Sequence, residues 1–257
     1  MSLEVLPIRA ADAAENMAVD FLLLQRYPRE TVSRFRHYNW RNSAFTFGYS
    51  QKIAAVRASL PPGESFDLCR RPTGGGLVDH RDDWTYALVI PRGHALEELR
   101  ATQSYLEVHE CLAGALQRQG VRAVTKSVPT FASLPSASPG GHSTRRDPST
   151  ITGFPEVGPG VCFERAELFD VIHSASGEKI AGAAQKRNKR GLLFQGSLWR
   201  PALGQTLDED QLLEDFVAAL AAVLNVTATL RPWPDFNDGE VSGLAENYRS
   251  TEWMESR

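Results

Sequence analysis

Three short strand-like segments follow one another in the second half of the chain, at residues 168–174, 179–185 and 192–199. Only Ser176-Gly177 and a basic turn at 186–190 separate them. Successive strands joined by such short turns pair antiparallel, because a parallel pair needs a crossover connection of about a dozen residues or more. The pattern therefore predicts a sheet that is largely antiparallel.

The first half of the chain adds further strands. β-branched and aromatic residues at 31–48, interrupted by the turn residues Asn42 and Ser43, predict a pair of strands. Residues 66–70 and 84–90 have the same character and flank a glycine-rich segment.

Apolar residues at helical spacing predict helices at 14–24, 96–119 and 206–224. We expect Asn16 or a neighbour to cap the first helix, and a capping box that begins at Thr206 to start the third. Strands and helices come in runs rather than in strict alternation. The expected fold class is therefore α+β, with helices packed against a largely antiparallel or mixed sheet.

Length and charge narrow the class of protein. The 257 residues have the size of one large domain, and 31 acidic against 28 basic residues give a formal net charge of -3. That balance argues against affinity based on nucleic-acid phosphates. The longest uncharged apolar run, 216–226, is shorter than the roughly 20 residues that cross a bilayer, and residues 1–16 lack the features of a secretory signal. We expect a single cytoplasmic domain over 1–257 that binds neither nucleic acid nor a membrane.

Residues 127–160 are rich in Pro, Ser and Gly and have almost no apolar periodicity. This composition predicts a flexible loop, which is either a surface insertion or a flap over a ligand site.

The cysteines, Cys69, Cys111 and Cys162, lie far apart and form neither a CxxC zinc motif nor a disulfide framework. Cys69 falls in a predicted strand and Cys111 in a predicted helix, so we expect both in the core. His80 has no partner at metal-binding spacing, so no metal site is expected, and a satisfied loop or core histidine is the default interpretation.

Three consecutive glycines, Gly74 to Gly76, follow Arg70-Arg71-Pro72-Thr73. Glycine permits positive φ and lets backbone amides approach a ligand oxygen, but a plain hairpin turn would also explain the triplet. No Gly-Lys-Ser/Thr follows, and no GxGxxG opens a helix, so ordinary nucleotide-binding motifs are excluded.

Lys179 begins a strand of small residues, Ile-Ala-Gly-Ala-Ala. A lysine there is either solvated or aims its ammonium at an oxygen on which negative charge develops.

Two long segments together resemble the signature blocks of the lipoate-protein ligase A and octanoyltransferase family. They read RRPTGGGLVDHRDDWTYALVIP and GEKIAGAAQKRNKRGLLFQGSL. Supporting blocks are NMAVDFLLLQRY, FRHYNWRNSAFTFGYSQK and AENYRSTEWMESR. The resemblance covers nearly the whole chain and is weakest across the Pro/Ser/Gly loop. It implies a class II synthetase or biotin-ligase-like catalytic domain, and protein lipoylation as the chemistry.

The resemblance also implies a set of site residues. The Arg-Arg and glycine block would wrap an octanoyl or lipoyl chain and its activated head. The lysine of the second block would touch the acyl carbonyl or an acyl-adenylate phosphate, with the small residues after it beside the substrate. These residues are Arg70, Arg71, Thr73, Gly74, Gly75, Gly76 and His80 from the first block, and Lys179, Gly182 and Ala183 from the second.

Two chemistries occur in the family, and Cys162 separates them. Transferases pass the acyl group from an acyl carrier protein through a cysteine thioester, and one branch carries a Cys-Phe pair where Cys162-Phe163 stands here. Ligases make an acyl-adenylate from ATP and Mg²⁺ instead. A transferase that needs no cofactor is the preferred reading, and the absence of a C-terminal accessory domain favours it mildly. Gly76 looks more like the ligase loop, and Gln195 stands where a histidine is usual.

A non-catalytic binder of lipoate or lipoyl domains is the third alternative. The expected partners are acyl carrier protein, lipoyl domains of dehydrogenase complexes and the glycine cleavage H protein. Basic residues at 186–190 could dock such acidic carriers or could form a solvated turn. These basic residues are Lys186, Arg187, Lys189 and Arg190.

Overall fold

A computed structural model describes residues 2–26, 32–127 and 166–256. The strands are β1 Ser2–Val5, β2 Arg9–Ala11, β3 Val32–Trp40, β4 Ala44–Phe47, β5 Asp67–Arg70, β6 Val78–Asp79, β7 Asp83–Pro91, β8 Ala123–Thr125, β9 Val171–His173, β10 Lys179–Asn188, β11 Gly191–Trp199 and β12 Thr227–Leu230. The helices are α1 Ala13–Gln25, α2 Ile53–Ala58, α3 Ala95–Glu98, α4 Ala101–Arg118, α5 Glu209–Val223, α6 Glu240–Arg249 and α7 Thr251–Met254, with a 3-10 helix at Arg200–Leu203.

Within these ranges the larger sheet runs in the order β12-β1-β3-β7-β11-β10-β9-β8, and β2 pairs with the end of β3. The ladders from β3 to β8 are antiparallel, whereas β1 pairs parallel with both β3 and β12. The α+β class and the largely antiparallel, mixed sheet expected from the sequence are confirmed.

A smaller sheet, in the order β5-β4-β6, lies beside the larger one. β4 pairs parallel with β5 and antiparallel with β6. One expectation is wrong here, because β3 and β4 belong to different sheets and do not pair. Of the two readings of the glycine triplet, the plain hairpin turn is excluded, because β5 and β6 flank β4 and do not pair with each other.

Helices cover both faces of the larger sheet. Val108 and Leu112 of α4 and Phe216 of α5 join one apolar cluster with Tyr86 and Phe194 of the central strands. On the other face, α1 and α6 form a second cluster with Ala87, Val89 and Leu193, residues that alternate with the first set. The sheet is therefore buried between two helical layers, and its central strands carry the site.

Three helix boundaries differ from the sequence expectation. The cap of α1 is Asp12, whose side chain accepts the Glu15 N–H, while Asn16 lies buried inside the helix. The cap of α5 is Asp208, which accepts the Gln211 N–H, so the capping box at Thr206 does not form. The expected helix 96–119 is two helices, because Leu99 adopts an extended conformation with ψ 155° between α3 and α4.

Other expectations concern segment ends. The strand expected at 168–174 is limited to β9, and β10 continues to Asn188, so Lys186 and Arg187 lie in a strand rather than in the turn. Nearly all of the flexible loop expected at 127–160 lies outside the described residues. In the part of the chain described, no helix is both long and apolar enough to cross a membrane.

Candidate active site

A cavity of about 460 Å³, including its open mouth, lies between the central strands of the larger sheet and the glycine loop. Antiparallel pairing sets Gly182 opposite Ser197 and Ala184 opposite Gln195 on its floor. The small residues Gly182, Ala184 and Ser197 leave room above the sheet. The lining residues are Met17, Tyr38, Thr46, Arg71, Gly75, Val78, His80, Thr85, Gly182, Ala183, Ala184, Gln195, Gly196 and Ser197.

The glycine loop forms one wall through close backbone contact. A Cβ on Gly48 would stand 1.9 Å from the Gly75 carbonyl oxygen, so only glycine permits this approach. Gly75 itself has φ +90°, in the left-handed region that favours glycine. Of the glycine triplet, Gly75 lines the cavity. The Gly74 and Gly76 carbonyls instead accept hydrogen bonds from Arg71.

Arg71 fixes the shape of this loop. Its Nη2 donates to the carbonyls of Gly74 and Gly76, both at 2.9 Å, and its Nη1 donates to the carbonyl and hydroxyl of Thr46, both at 2.8 Å. The planar guanidinium thereby bridges the loop and β4. Arg71 lines the cavity while these hydrogen bonds organise its wall.

Arg70 is directed away from the cavity lining. Its guanidinium donates to the carbonyls of Tyr49, Gln51 and Met254 at 2.6 to 2.8 Å. It also lies over the Phe47 ring, 4.8 Å from the centroid. The structure therefore gives Arg70 a role in joining the smaller sheet to α7.

Thr73 reaches the sheet through Gln195. The Thr73 hydroxyl donates to Gln195 Oε1 at 2.7 Å, and Gln195 Nε2 donates to Asp20 Oδ2 at 2.7 Å. Arg36 pairs with Asp20 at 2.6 Å, both buried. Gln195 thus connects the loop to an ion pair beneath α1.

His80 lies at the far end of the cavity and has a partner for each ring nitrogen. Nε2 is 2.7 Å from the Thr46 hydroxyl, and Nδ1 is 2.6 Å from Asp83 Oδ2. Ser197 and Thr85 also donate to this carboxylate oxygen. Burial raises the pKa of Asp83, but the charge and hydrogen bond of His80, with those hydroxyl groups, outweigh burial and hold this pKa below its ordinary value.

Lys179 is buried, contrary to a solvated lysine at the start of a strand. Its Nζ pairs with Asp170 Oδ2 at 2.7 Å, and both side chains are at most 4% exposed. A Cβ on Gly182 would stand 2.7 Å from Lys179 Nζ and Cε. The ammonium therefore lies directly above Gly182, one of the residues that line the cavity.

Asp170 binds two further donors. Tyr105 donates its hydroxyl to Asp170 Oδ1 at 2.5 Å, and the Glu167 N–H donates to Oδ2 at 2.7 Å. Burial, the negative charge of Asp170 and this hydrogen bond raise the pKa of Tyr105 well above its ordinary value. Burial lowers the pKa of nearby His109 to about 4. Both side chains are therefore neutral near pH 7.

Cys69 and Cys111 are buried, as the sequence predicts. Burial raises the pKa of each thiol to about 12, so neither provides a thiolate near neutral pH. Cys162, the predicted nucleophile, lies outside the described residues. Among residues 2–26, 32–127 and 166–256, no group of three or more His, Cys, Asp or Glu side chains is arranged to hold a metal ion.

Two members of the basic segment are tied to the fold. Lys186 Nζ donates to the Pro72 carbonyl at 3.2 Å, and Arg187 Nη2 donates to the Ser104 hydroxyl at 2.6 Å. Lys189 and Arg190 are exposed at the tip of the hairpin. Of the four basic residues in this segment, only this pair is exposed.

Sequence reasoning missed several residues that the structure brings to the site. Asp170 and Tyr105 have no motif of their own, and their contact with Lys179 joins segments far apart in the chain. Asp83 was visible only as one of three acidic residues near His80. The signal that identifies Asp170 is its buried contact with Lys179, and this contact can be seen only in the three-dimensional structure.

The family model of the lipoyl protein ligase A/B catalytic domain matches residues 12–202. These residues include β10 and β11, which form the cavity floor, as well as the glycine loop and Lys179. The chain belongs to the lipoyl protein ligase A/B catalytic domain family.

Its curated relatives include several proteins named octanoyltransferase LipM. The one from Oceanobacillus iheyensis is 31% identical over 186 residues, which span 72% of this chain and 58% of the relative. The one from Symbiobacterium thermophilum is 30% identical over 251 residues, spanning 90% of this chain and 81% of the relative. The match thus spans a little over half of the first protein and most of the second.

Solved structures share the fold. Lipoate-protein ligase A bound with ATP aligns with a TM-score of 0.68 at 16% identity, covering 99% of this chain and 98% of the other. A T. acidophilum protein with bound lipoic acid gives a TM-score of 0.67 at 16% identity over the full length of both chains. At these identities the likeness concerns the fold.

Proposed function

We propose that this chain is an octanoyltransferase of protein lipoylation. It takes an octanoyl group from the thioester of an acyl carrier protein and transfers it to the ε-amine of a lysine on a lipoyl domain or on the glycine cleavage H protein. The observation that carries the proposal is the similarity to octanoyltransferases LipM, at 30% identity across 90% of this chain in one case.

The proposed reaction has two acyl-transfer steps. The Cys162 thiol loses its proton to solvent, and the thiolate attacks the carbonyl carbon of the carrier thioester. The carbon–sulfur bond to the carrier breaks, and the carrier leaves as a thiolate that takes up a proton from solvent. The neutral acceptor amine then attacks the Cys162 thioester. An amide bond forms, the Cys162 thiolate is released, and the amine proton passes to solvent or to a base.

The donor is already activated in this scheme. One thioester replaces another in the first step, and an amide replaces a thioester in the second, so the reaction needs no ATP and no cofactor. Each step passes through a tetrahedral intermediate with a negatively charged oxygen. A fixed cation or backbone amide near that oxygen lowers the barrier.

Lys179 is suited to provide that cation. Its ammonium lies against Gly182, which lines the cavity floor, and burial strengthens its electrostatic effect on a nearby oxygen. We propose that Lys179 stabilises the negatively charged oxygen of each tetrahedral intermediate and also stabilises the Cys162 thiolate. The octanoyl chain would lie along Gly182, Ala183 and Ala184, opposite Gly75.

The ligase alternative rests on Gly76, the third glycine of the loop, which resembles the ligase form. A ligase would use ATP and Mg²⁺ to make an acyl-adenylate, with Lys179 near its phosphate. A non-catalytic binder would retain the cavity without turnover.

One transfer assay separates these functions. Purified protein is incubated with octanoyl-carrier protein and a lipoyl domain, without ATP, and octanoyl-lysine is quantified by mass spectrometry. The proposal predicts ATP-independent octanoylation that is unaffected by a chelator. A second mixture contains the free acid, ATP and Mg²⁺, and octanoylation or lipoylation in this mixture alone would establish the ligase. Binding without either reaction would establish the non-catalytic binder.

A further inference from the structure

We propose that Asp170, held by Tyr105, is the positioning residue that fixes the Lys179 ammonium against Gly182, a residue of the cavity floor. The inference rests on the proposed function, because it assigns a mechanistic role to Lys179. Asp170 acts through Lys179 and is not expected to touch the substrate.

The first observation is where β9 begins. Lys179 pairs with Ile172, Ala181 pairs with Val171, and the register shifts between these two pairs. Asp170 immediately precedes β9, so its carboxylate lies beside the irregular start of β10. The irregularity brings Lys179 Nζ to 2.7 Å from Asp170 Oδ2, next to the cavity floor.

The second observation is that Asp170 is itself held in place. Tyr105 donates to Oδ1 at 2.5 Å and accepts the Ala183 N–H at 2.9 Å. The hydroxyl thus connects the carboxylate to the strand residue next to Gly182. Movement of Asp170 would break contacts with both α4 and β10.

The third observation is the backbone before Asp170. Phe169 has φ +67°, an uncommon conformation for a residue with a side chain. His109 Nδ1 is 2.8 Å from the Phe169 carbonyl, and the Phe169 N–H donates to the Lys126 carbonyl at 2.9 Å. These contacts from two elements support a conformation that costs free energy, as expected where geometry matters for function.

The described groups near the Lys179–Asp170 pair are mostly neutral at pH 7. Tyr105 and His109 of α4 face it and are neutral near pH 7, and Tyr86 of β7 is also buried with its pKa raised. Lys126 directs its ammonium to the Ala166 carbonyl. Asp170 therefore supplies a buried negative charge opposite Lys179, and it holds the ammonium in place before the substrate arrives.

A double-mutant cycle tests the inference. Asp170→Asn, Lys179→Met and the double variant are compared in the ATP-free transfer assay, with Glu178→Gln as the matched control. Glu178 is exposed and adjacent to Lys179 in sequence, so its variant makes the same charge change without the contact.

If Asp170 acts through Lys179, Asp170→Asn lowers kcat at least about tenfold with KM changed less than about twofold, and it has almost no further effect in the Lys179→Met background. Asp170→Glu restores part of the rate, and Glu178→Gln behaves as wild type. Additive losses in the double variant, or an Asp170→Asn rate close to wild type, would overturn the inference.

Amine labelling gives a readout independent of turnover. Limited acetic anhydride treatment followed by peptide mass spectrometry measures the reactivity of Lys179 in each folded variant. We expect labelling at least about fivefold faster in Asp170→Asn than in wild type or Glu178→Gln, because the ion pair no longer restrains the amine. Equal labelling would contradict the positioning role, whereas absence of ATP-free transfer in wild type would refute the proposed function alone.

Discussion

The Lys179 ammonium occupies the space where a side chain at Gly182 would begin, since a Cβ there would stand 2.7 Å from both Nζ and Cε. The neighbour that must move is the flexible end of a lysine rather than backbone. A side chain at position 182 is therefore expected to displace the cation without a clash against the backbone.

Gly182→Ala should lower kcat by about tenfold or more, through the lost electrostatic stabilisation, and should also lower the melting temperature, because it disturbs the buried Lys179–Asp170 ion pair. Gly114→Ala is the matched control, because Gly114 lies in α4 with open space around it. That variant should keep full activity and gain up to about 1 kcal/mol of stability. Equal activity of Gly182→Ala and wild type would contradict the placement of Lys179.

The glycine loop offers a comparison between neighbouring positions. Gly75 has φ +90° and little space beside Arg71, whereas Gly74 has open space and no positive φ. Gly75→Ala should cost roughly 1 to 2 kcal/mol of unfolding free energy and raise KM for the acyl donor. Gly74→Ala should stay within about 0.5 kcal/mol of wild type. Urea unfolding and transfer kinetics measure both, and a reversed order would refute this loop geometry.

Arg71 is predicted to be a structural organiser of the cavity wall. Arg71→Lys keeps the charge but loses the planar group that makes four hydrogen bonds, so we expect a loss of roughly 3 kcal/mol in unfolding free energy and a raised KM. Arg57→Lys, at an exposed position in α2, is the control and should be neutral. Unchanged stability in Arg71→Lys would count against the bridging role.

His109 should make the fold sensitive to mild acid. Burial lowers its pKa from the ordinary value of 6.5 to about 4, so below pH 6.5 the unfolded chain takes up a proton that the folded chain resists. The stability from this residue is complete above pH 6.5 and is lost as the pH falls towards 4. Between pH 7 and pH 5 the free energy of unfolding should fall by about 2 kcal/mol because of His109.

Urea unfolding at both pH values measures this loss. His109→Gln cannot titrate and should show a smaller decrease in stability on acidification than wild type. His173→Gln replaces a half-buried histidine in β9 and should keep the wild-type decrease. Identical decreases in His109→Gln and wild type would show that His109 does not have the lowered pKa.

Much of the architecture could be predicted from periodicity. Three consecutive strand-like segments predicted the antiparallel strands β9, β10 and β11, because strands joined by short turns pair antiparallel. The assignment of β4 to a second sheet could not be predicted, since its partners β5 and β6 are chosen by tertiary packing. The break at Leu99 has no glycine or proline to mark it.

The candidate site divides in the same way. Lys179 and the glycine loop stand in motifs and could be found from the sequence. Arg70 was expected at the substrate, but its guanidinium is directed to three backbone carbonyls elsewhere. Asp170 and Tyr105 became visible only when the fold joined α4 to the start of β10, because no local pattern encodes such a contact.

The central claim concerns Cys162, and intact-mass measurement tests it most directly. Wild-type protein incubated with octanoyl-carrier protein and no acceptor should gain the mass of one octanoyl group, and hydroxylamine should remove it. Cys111→Ala should keep this adduct and Cys162→Ala should lose it. A wild-type protein without an adduct, or a Cys162→Ala variant that still forms one, would contradict the account.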